Sequence, residues 1–376
     1  MSKRESASCP RVDIGGQAVL EGVMMRSPEA TAIAVRRPDQ SIVVKYEKTV
    51  PLAKKHPWMG LPVIRGAVNM VMMLVSGMRT LQDSTAMGGL LDEEPTKFEK
   101  WLSEKLGKGI DKIVMAVSVV LAVALSLLLF MAIPAGVESI ARSAGMGPFG
   151  YTLLGGLVKI AILLGYMALV GNVPEIKRTF QYHGAEHKTV YCHEADLPLT
   201  PENAQQFTTL HPRCGTAFLL IVFIISILLF LVLNTLLPIS NYFLRLLMHL
   251  LMLPIVAGVS YEVLKGLAHS ESRIAKILRW PGLQLQRLTT RQPDEGMLEC
   301  AISAMNAALY GLPNHAPRTP EGWAVLKSYA ESDPAYVVPR PEAVSALFSW
   351  ADPSAEAARD AKSEPVDEEN GSGIGE

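Results

Sequence analysis

Unbroken apolar blocks alternate along this chain with polar segments, and four of the blocks are long enough to cross a hydrocarbon core of about 30 Å. They cover residues 113–133, 153–173, 216–238 and 243–264. The first and third are almost free of charge. The second carries Lys159 and the fourth Arg245 and His249, so each is expected to turn a polar side towards neighbouring helices or the interface. A fifth stretch, 61–81, is broken by Arg65, Asn69 and Arg79 on one helical face and reads as an interfacial amphipathic helix. The pattern predicts a mainly α integral membrane protein with about four transmembrane helices.

Shorter periodicities fill the flanks. Residues 18–26, 31–37 and 41–48 read as strands, with Pro38-Asp39-Gln40 as a turn. The alternation of Val43, Lys45 and Glu47 with Ile42, Val44 and Tyr46 suits a sheet with one wet face. The expected organisation is a small β-rich cytoplasmic N-terminal subdomain (12–60), an interfacial helix and linker (61–112), and a four-span membrane domain (113–264). Its cytoplasmic loop, 174–215, holds the candidate metal site. A cytoplasmic helical segment (265–312) follows, in which a helix over 261–278 is broken at Pro281-Gly282 and a second covers 294–309. The Pro-, Ala- and acid-rich end, 313–376, reads as a largely disordered tail.

Composition agrees: 49% of residues are hydrophobic and the mean hydropathy is +0.24. Lys97, Lys100, Lys105, Lys108 and Lys112 precede the first block, whereas the loop after it holds only Arg142. The positive-inside rule then places both termini of a multi-pass membrane protein in the cytoplasm. The segment 1–16 has basic residues but no apolar core behind them and is not expected to be a cleaved signal peptide. Cys9, Cys192, Cys214 and Cys300 form no CxxC pair and are expected to be reduced. A net charge of −1 with no basic, aromatic-laced patch argues against a nucleic-acid partner.

Against that frame stands His183-Gly184-Ala185-Glu186-His187. On a helix, positions i and i+4 share a face, so His183 and His187 can ligate one divalent ion, most suitably zinc, with Glu186 on the same rim. The spelling is HxxEH, the inversion of the zinc-protease motif, which makes Glu186 the candidate general base. A catalytic site needs a third ligand and an open position. His193, Glu194, His211 and Cys214 are candidates, and His211 with Cys214, just before the third block, is the best pair. If all four of His183, His187, His211 and Cys214 bound one ion the shell would be closed, as in structural sites.

A second constellation runs from Gly15 to Arg26. Its glycines permit close backbone approach, and Glu21 and Arg26 are charges in an apolar strand. The bland reading is a strand with solvated charges. The sharper one brings Gln17, Glu21 and Arg26 into the metal site, with Arg65, Lys188 and Arg213 holding an anionic group. Glu138 is expected in the outer loop, His249 as a packed residue, and Glu262 as an outside candidate ligand.

Four motifs in order, Gly15-Gly16-Gln17-Ala18-Val19-Leu20-Glu21-Gly22-Val23-Met24-Met25-Arg26, Tyr182-His183-Gly184-Ala185-Glu186-His187-Lys188, His211-Pro212-Arg213-Cys214-Gly215-Thr216 and Pro281-Gly282-Leu283-Gln284-Leu285-Gln286-Arg287-Leu288-Thr289-Thr290-Arg291, resemble the YqhQ-like family. These are bacterial membrane proteins of unknown function, to which a metal-dependent enzyme activity is commonly ascribed. The resemblance covers about residues 12–309 and implies a membrane location and a metal, but no named reaction or substrate.

Two function classes follow. One is a metal-dependent hydrolase acting at the cytoplasmic face, with membrane lipid as its neighbour and a substrate of unassigned class. The other is a non-enzymatic membrane scaffold or assembly factor with a closed structural metal site. A transporter is disfavoured, because the spans lack Gly/Pro-interrupted pairs and buried charges.

Overall fold

The computed structural model describes residues 14–49, 57–89, 110–212, 214–236, 242–268, 270 and 272–334. Cys9, Arg213, the cation-rich linker 90–109, the side chains of Arg245 and His249, and the tail from 335 lie outside the described residues.

The chain begins with an antiparallel meander. Strands β1 (Gly15–Val19), β2 (Gly22–Arg26), β3 (Ala30–Arg36) and β4 (Ile42–Lys48) pair in sequence order. The expected strand 18–26 is instead the tight β1–β2 hairpin, in which Val19 pairs with Gly22 and Glu21 takes a positive φ of 51°. Gly22 is obligatory there, because a Cβ would lie 2.1 Å from the Ala34 carbonyl oxygen. A fifth strand, β5 (Ala324–Leu326), pairs with β4. The tail reading is corrected accordingly: residues 313–334 include a strand of the N-terminal sheet.

Both sheet faces are covered. Val23, Met25, Ala32, Ala34, Ile42 and Val44 pack into the main core with Tyr182 and Met297. Val19, Met24, Ile33, Val35 and Val43 form the opposite layer with Met87. The expected wet face of β4 is therefore covered, and Lys45 pairs with Asp83 at 2.7 Å across it.

Asp83 and Met87 belong to α1 (Ile64–Met87). Its buried positions are Gly66, Gly77, Thr80, Ser84 and Met87, whereas Val71, Leu74, Val75 and Met78 are exposed. Small and polar residues thus face the protein and large apolar ones face outwards, the inverse of a water-facing helix.

The apolar helices follow. α2 (Ile110–Leu127) passes through a π segment, Leu128–Ala132, into α3 (Ile133–Ser143). Pro134 explains the bulge: it has no N–H to give and its ring crowds the carbonyl one turn back. After α4 (Pro148–Val170), α5 (Pro174–Glu194) and the short α6 (Pro201–Gln205) come α7 (Gly215–Leu236) and α8 (Tyr242–Ala268). Among the described residues, three helices are long and apolar enough to cross a membrane, over Val117–Ser143, Pro148–Val170 and Leu250–Leu267. The remaining expected span, α7, carries a shorter apolar stretch, Leu219–Leu233. Glu138 is buried inside α3 and not in an outer loop.

α9 (Arg273–Thr289) runs straight through Pro281, where a break was expected. The interruption lies earlier, where the Ser272 hydroxyl caps the helix by accepting the Ala275 N–H. α10 (Glu295–Tyr310), capped by Asp294, is buried against β2, β3 and α5. It supplies the apolar centre of the main core, including the buried Met297, Leu298, Cys300 and Met305.

Candidate metal centre between α5, α7 and α9

The expected loop 174–215 is largely helical, and α5 starts from Pro174, where proline's missing N–H costs nothing. One stripe of α5 carries His183, Glu186 and His187. Gly184, between them, lets the chain after α9 cross closely, since a Cβ would stand 2.0 Å from the Arg291 carbonyl oxygen. The Arg291 N–H donates to the Phe180 carbonyl at 2.9 Å, fixing that crossing.

Each histidine is aimed from behind. The His183 ring places Nδ1 2.9 Å from the Thr289 carbonyl oxygen, and His187 Nδ1 contacts the Thr209 carbonyl oxygen. A carbonyl can only accept, so both Nδ1 atoms carry the proton and both Nε2 lone pairs point forward. This is the outer support that ligating imidazoles commonly have. His183 Nε2 lies 3.2 Å from Cys214 Sγ, and one ligand atom from each of His183, His187 and Cys214 lies within 4.8 Å of the others. A tetrahedral zinc centre separates its N and S ligands by roughly 3.5 Å, so the trio matches its scale. Cys214 stands at the start of α7, where its sulfur accepts the Thr216 N–H at 3.4 Å.

Two buried polar atoms at the trio have no hydrogen-bond partner, His187 Nε2 and Glu186 Oε2. Buried polar atoms are ordinarily satisfied; a divalent cation would take up the His187 nitrogen, and a water held beside it would donate to Glu186 Oε2. The other carboxylate oxygen, Oε1, accepts the Gly16 N–H at 2.9 Å, a donor on β1, which is an edge strand among the described residues. Gly16 is needed for this approach, because a Cβ would fall 2.9 Å from Glu186 Cγ and 2.5 Å from the Met24 carbonyl oxygen. Glu186 Oε2 is 3.9 Å from His183 Nε2.

His211 is not one of the converging donors. Its Nε2 faces Glu194 at 3.2 Å and its ring packs edge-on to Tyr191, with centroids 4.5 Å apart. Burial pushes its pKa down to about 4, opposed by the charge of Glu186. Its backbone is clamped by Gln286, which accepts the His211 N–H and donates to the His211 carbonyl, both at 2.7 Å. Gln286 and Thr289 thus give the segment 281–291 a role that the sequence left open: α9 is the scaffold behind both arms of the site. His193 also lies outside the trio.

Among the proposed anchors, Glu21 is elsewhere. It sits at the closed end of the hairpin, gripped by Arg178, with Arg178 Nε 2.6 Å from Glu21 Oε1, and it accepts the Tyr182 hydroxyl at 3.3 Å. Arg178 and Glu186 are eight residues apart on α5, roughly 12 Å of helix, which keeps Glu21 out of the centre. Arg65 is committed to Glu262, and Lys188 donates to the carbonyls of Gln205 and Phe207. Neither cation is available for an anion, and Glu262 is not a ligand. Arg26 and Gln17 do reach the site. Both line a cavity of about 340 Å³ that opens onto Glu186, His187 and Cys214.

Residues 61–310 match the model of a family described as protein of unknown function (DUF1385). The chain is 34% identical over 303 residues to the uncharacterized protein YqhQ of Bacillus subtilis (strain 168), covering 78% of this chain and 92% of that relative. No solved structure matches it. The chain belongs to the DUF1385 family.

Proposed function

We propose that this protein is a metal-dependent hydrolase of the bacterial inner membrane, with four spans, both termini in the cytoplasm and its centre at the cytoplasmic face. The observation that carries the reading is the convergence of His183, His187 and Cys214 beside two buried, unspent acceptor atoms, His187 Nε2 and Glu186 Oε2. A bound divalent ion, for which the N,N,S donor set favours zinc, would supply Lewis-acid polarisation and acidify water.

The chain's own groups divide the remaining work. The carbonyls of Thr289 and Thr209 hold the two imidazoles in the ligating tautomer. Gly16 fixes one oxygen of Glu186, leaving Oε2 to take a proton from water and return it to the leaving oxygen or nitrogen. The hydroxyl of water joins the acyl or phosphoryl centre as that bond breaks. With His211 turned to Glu194, three protein donors would hold the ion, one fewer than in a closed structural shell.

A second reading is favoured by the 3.2 Å contact of His183 Nε2 with Cys214 Sγ: a cysteine nucleophile with His183 as base, oriented by Thr289. It leaves the unspent nitrogen of His187 without a purpose.

The test is purified protein assayed for bound zinc and for turnover of ester, amide and phosphoester substrates. Glu186→Gln is expected to keep stoichiometric zinc while lowering turnover by about 10²- to 10⁴-fold. Turnover unchanged with zinc intact would remove the hydrolase reading, and turnover independent of metal but abolished by Cys214→Ser would favour the cysteine nucleophile.

A further inference from the structure

The cavity at the metal centre has a composition and position of its own. One wall is apolar, from Met70 and Met73 of α1 and Leu264 of α8. Its polar end holds Arg26, directly opposite Gly15 in the β1–β2 register. Among the described residues Arg26 makes no ion pair, unlike Arg36, Arg65 and Arg178, which are each bound to a carboxylate. A half-buried guanidinium that lines a cavity and has no ion-pair partner among the described residues, the Glu186 carboxylate of the same lining being turned to Gly16 and His183, is a receptor for an anion.

The rim lies where the apolar helices begin. Met73 is 56% exposed, and its Cε is 3.7 Å from where a Cβ on Gly215 would lie. Gly215 is the first residue of α7, so α1 reaches across the mouth to the base of an apolar helix. On α1 the outward residues Val71, Leu74, Val75 and Met78 are all more than half exposed. α9 repeats the device: Ile274, Ile277, Leu278 and Trp280 are exposed on a helix that also carries Arg273, Lys276 and Arg279. Apolar, aromatic and basic residues together on surface-lying helices are the signature of a bilayer interface. An opening at that level receives molecules from the leaflet.

We propose that the cavity binds a lipid-like anionic amphiphile, its phosphate or carboxylate on Arg26 beside the metal centre and its hydrocarbon tail passing Met73 into the bilayer between α1 and α7. The volume of about 340 Å³ lies in the range of small-ligand sites and suits a head group with the first part of a tail. This inference rests on the hydrolase reading for its consequence, since the bound molecule is then the substrate, but not for its test.

The experiment measures binding to zinc-loaded Glu186→Gln protein in detergent, so that no probe is consumed. The probe is a fluorescent single-chain lysophosphatidic acid, competed with glycerol 3-phosphate as head alone and with monoacylglycerol as tail alone. The lysolipid is expected to bind at least tenfold tighter than either competitor. Arg26→Gln should weaken the lysolipid at least tenfold and leave monoacylglycerol unchanged, whereas Met73→Trp, at an exposed rim position that tolerates substitution, should weaken both tailed ligands. Zinc content reports that each variant is folded. Equal affinity for glycerol 3-phosphate would make the site one for a free anion and overturn the proposal. So would lysolipid affinity unaffected by either substitution in zinc-replete protein. If instead the lysolipid binds as described while no substrate is turned over by the wild type, the lipid site stands and the hydrolase reading falls.

Discussion

At its open end the β1–β2 hairpin meets α5 through Gly16 and Glu186, and at its closed end through Glu21 and Arg178. Both contacts join the same two elements with a carboxylate, yet their states differ. At the closed end the carboxylate is spent: Glu21 accepts from Arg178 and Tyr182, and Arg36 nearby is bonded to Glu299 and the Gly296 carbonyl, with only its Nε unpartnered. At the open end half of the carboxylate is used by Gly16, and Oε2 is buried without a partner beside His187 Nε2. Evenly satisfied polar groups hold elements together. Buried groups left unsatisfied carry a cost of about 1–3 kcal/mol each, and at the open end two of them adjoin three converging donors, where a bound ion would relieve it.

That contrast can be broken most forcefully at the open end. His187→Ala removes one of three donors and is expected to abolish stoichiometric metal binding, measured by metal analysis after dialysis, while the apoprotein stays folded. Gln286→Leu should have an intermediate effect. It leaves the His211 N–H buried and unpaired and its carbonyl with only the Cys214 N–H at 3.3 Å, costing about 1–3 kcal/mol in thermal or denaturant unfolding. By loosening the support behind the site it should also weaken metal affinity about 10- to 100-fold. Arg178→Ala, at the closed end, should change least: the pair is substantially exposed, so the loss of stability stays within about 1 kcal/mol and metal content is unaltered. If Arg178→Ala released the metal, the division between architectural and reactive ends would be wrong.

Much of this was legible in the residues themselves. The HxxEH stretch, the soft donor Cys214, the α10 helix with its Asp294 cap and the expectation of an apolar helical domain all follow from local pattern, because spacing on a helix and burial periodicity are one-dimensional signals. What pattern could not reveal is which atoms stand behind the ligands. Thr209 and Thr289 contribute carbonyl oxygens and Gly16 an N–H, and backbone groups leave no trace in side-chain identity. The only signal was the unexplained motif from Pro281 to Arg291. Glu21 misled for a related reason. A reversal between Val19 and Gly22 sends it to the far end of the hairpin, and only a turn recognised at Leu20-Glu21 would have separated it from Arg26. The strand Ala324–Leu326 was hidden because three residues added to a sheet edge are too short to show a period.

His211, the fourth candidate donor, faces Glu194, and Glu186 Oε2 stands 3.9 Å from His183 Nε2. Whether that carboxylate binds the ion or stays free as a base separates scaffold from enzyme.

The most direct test of the centre is the electronic spectrum of the cobalt(II)-substituted protein, titrated to one equivalent and compared with Cys214→Ser, His183→Ala and His211→Ala. A thiolate-to-cobalt charge-transfer band with tetrahedral visible absorption is expected in the wild type and in His211→Ala, with the charge-transfer band lost in Cys214→Ser and the tetrahedral spectrum lost in His183→Ala. A wild-type spectrum without thiolate ligation, or one abolished by His211→Ala and indifferent to Cys214→Ser, would contradict the account.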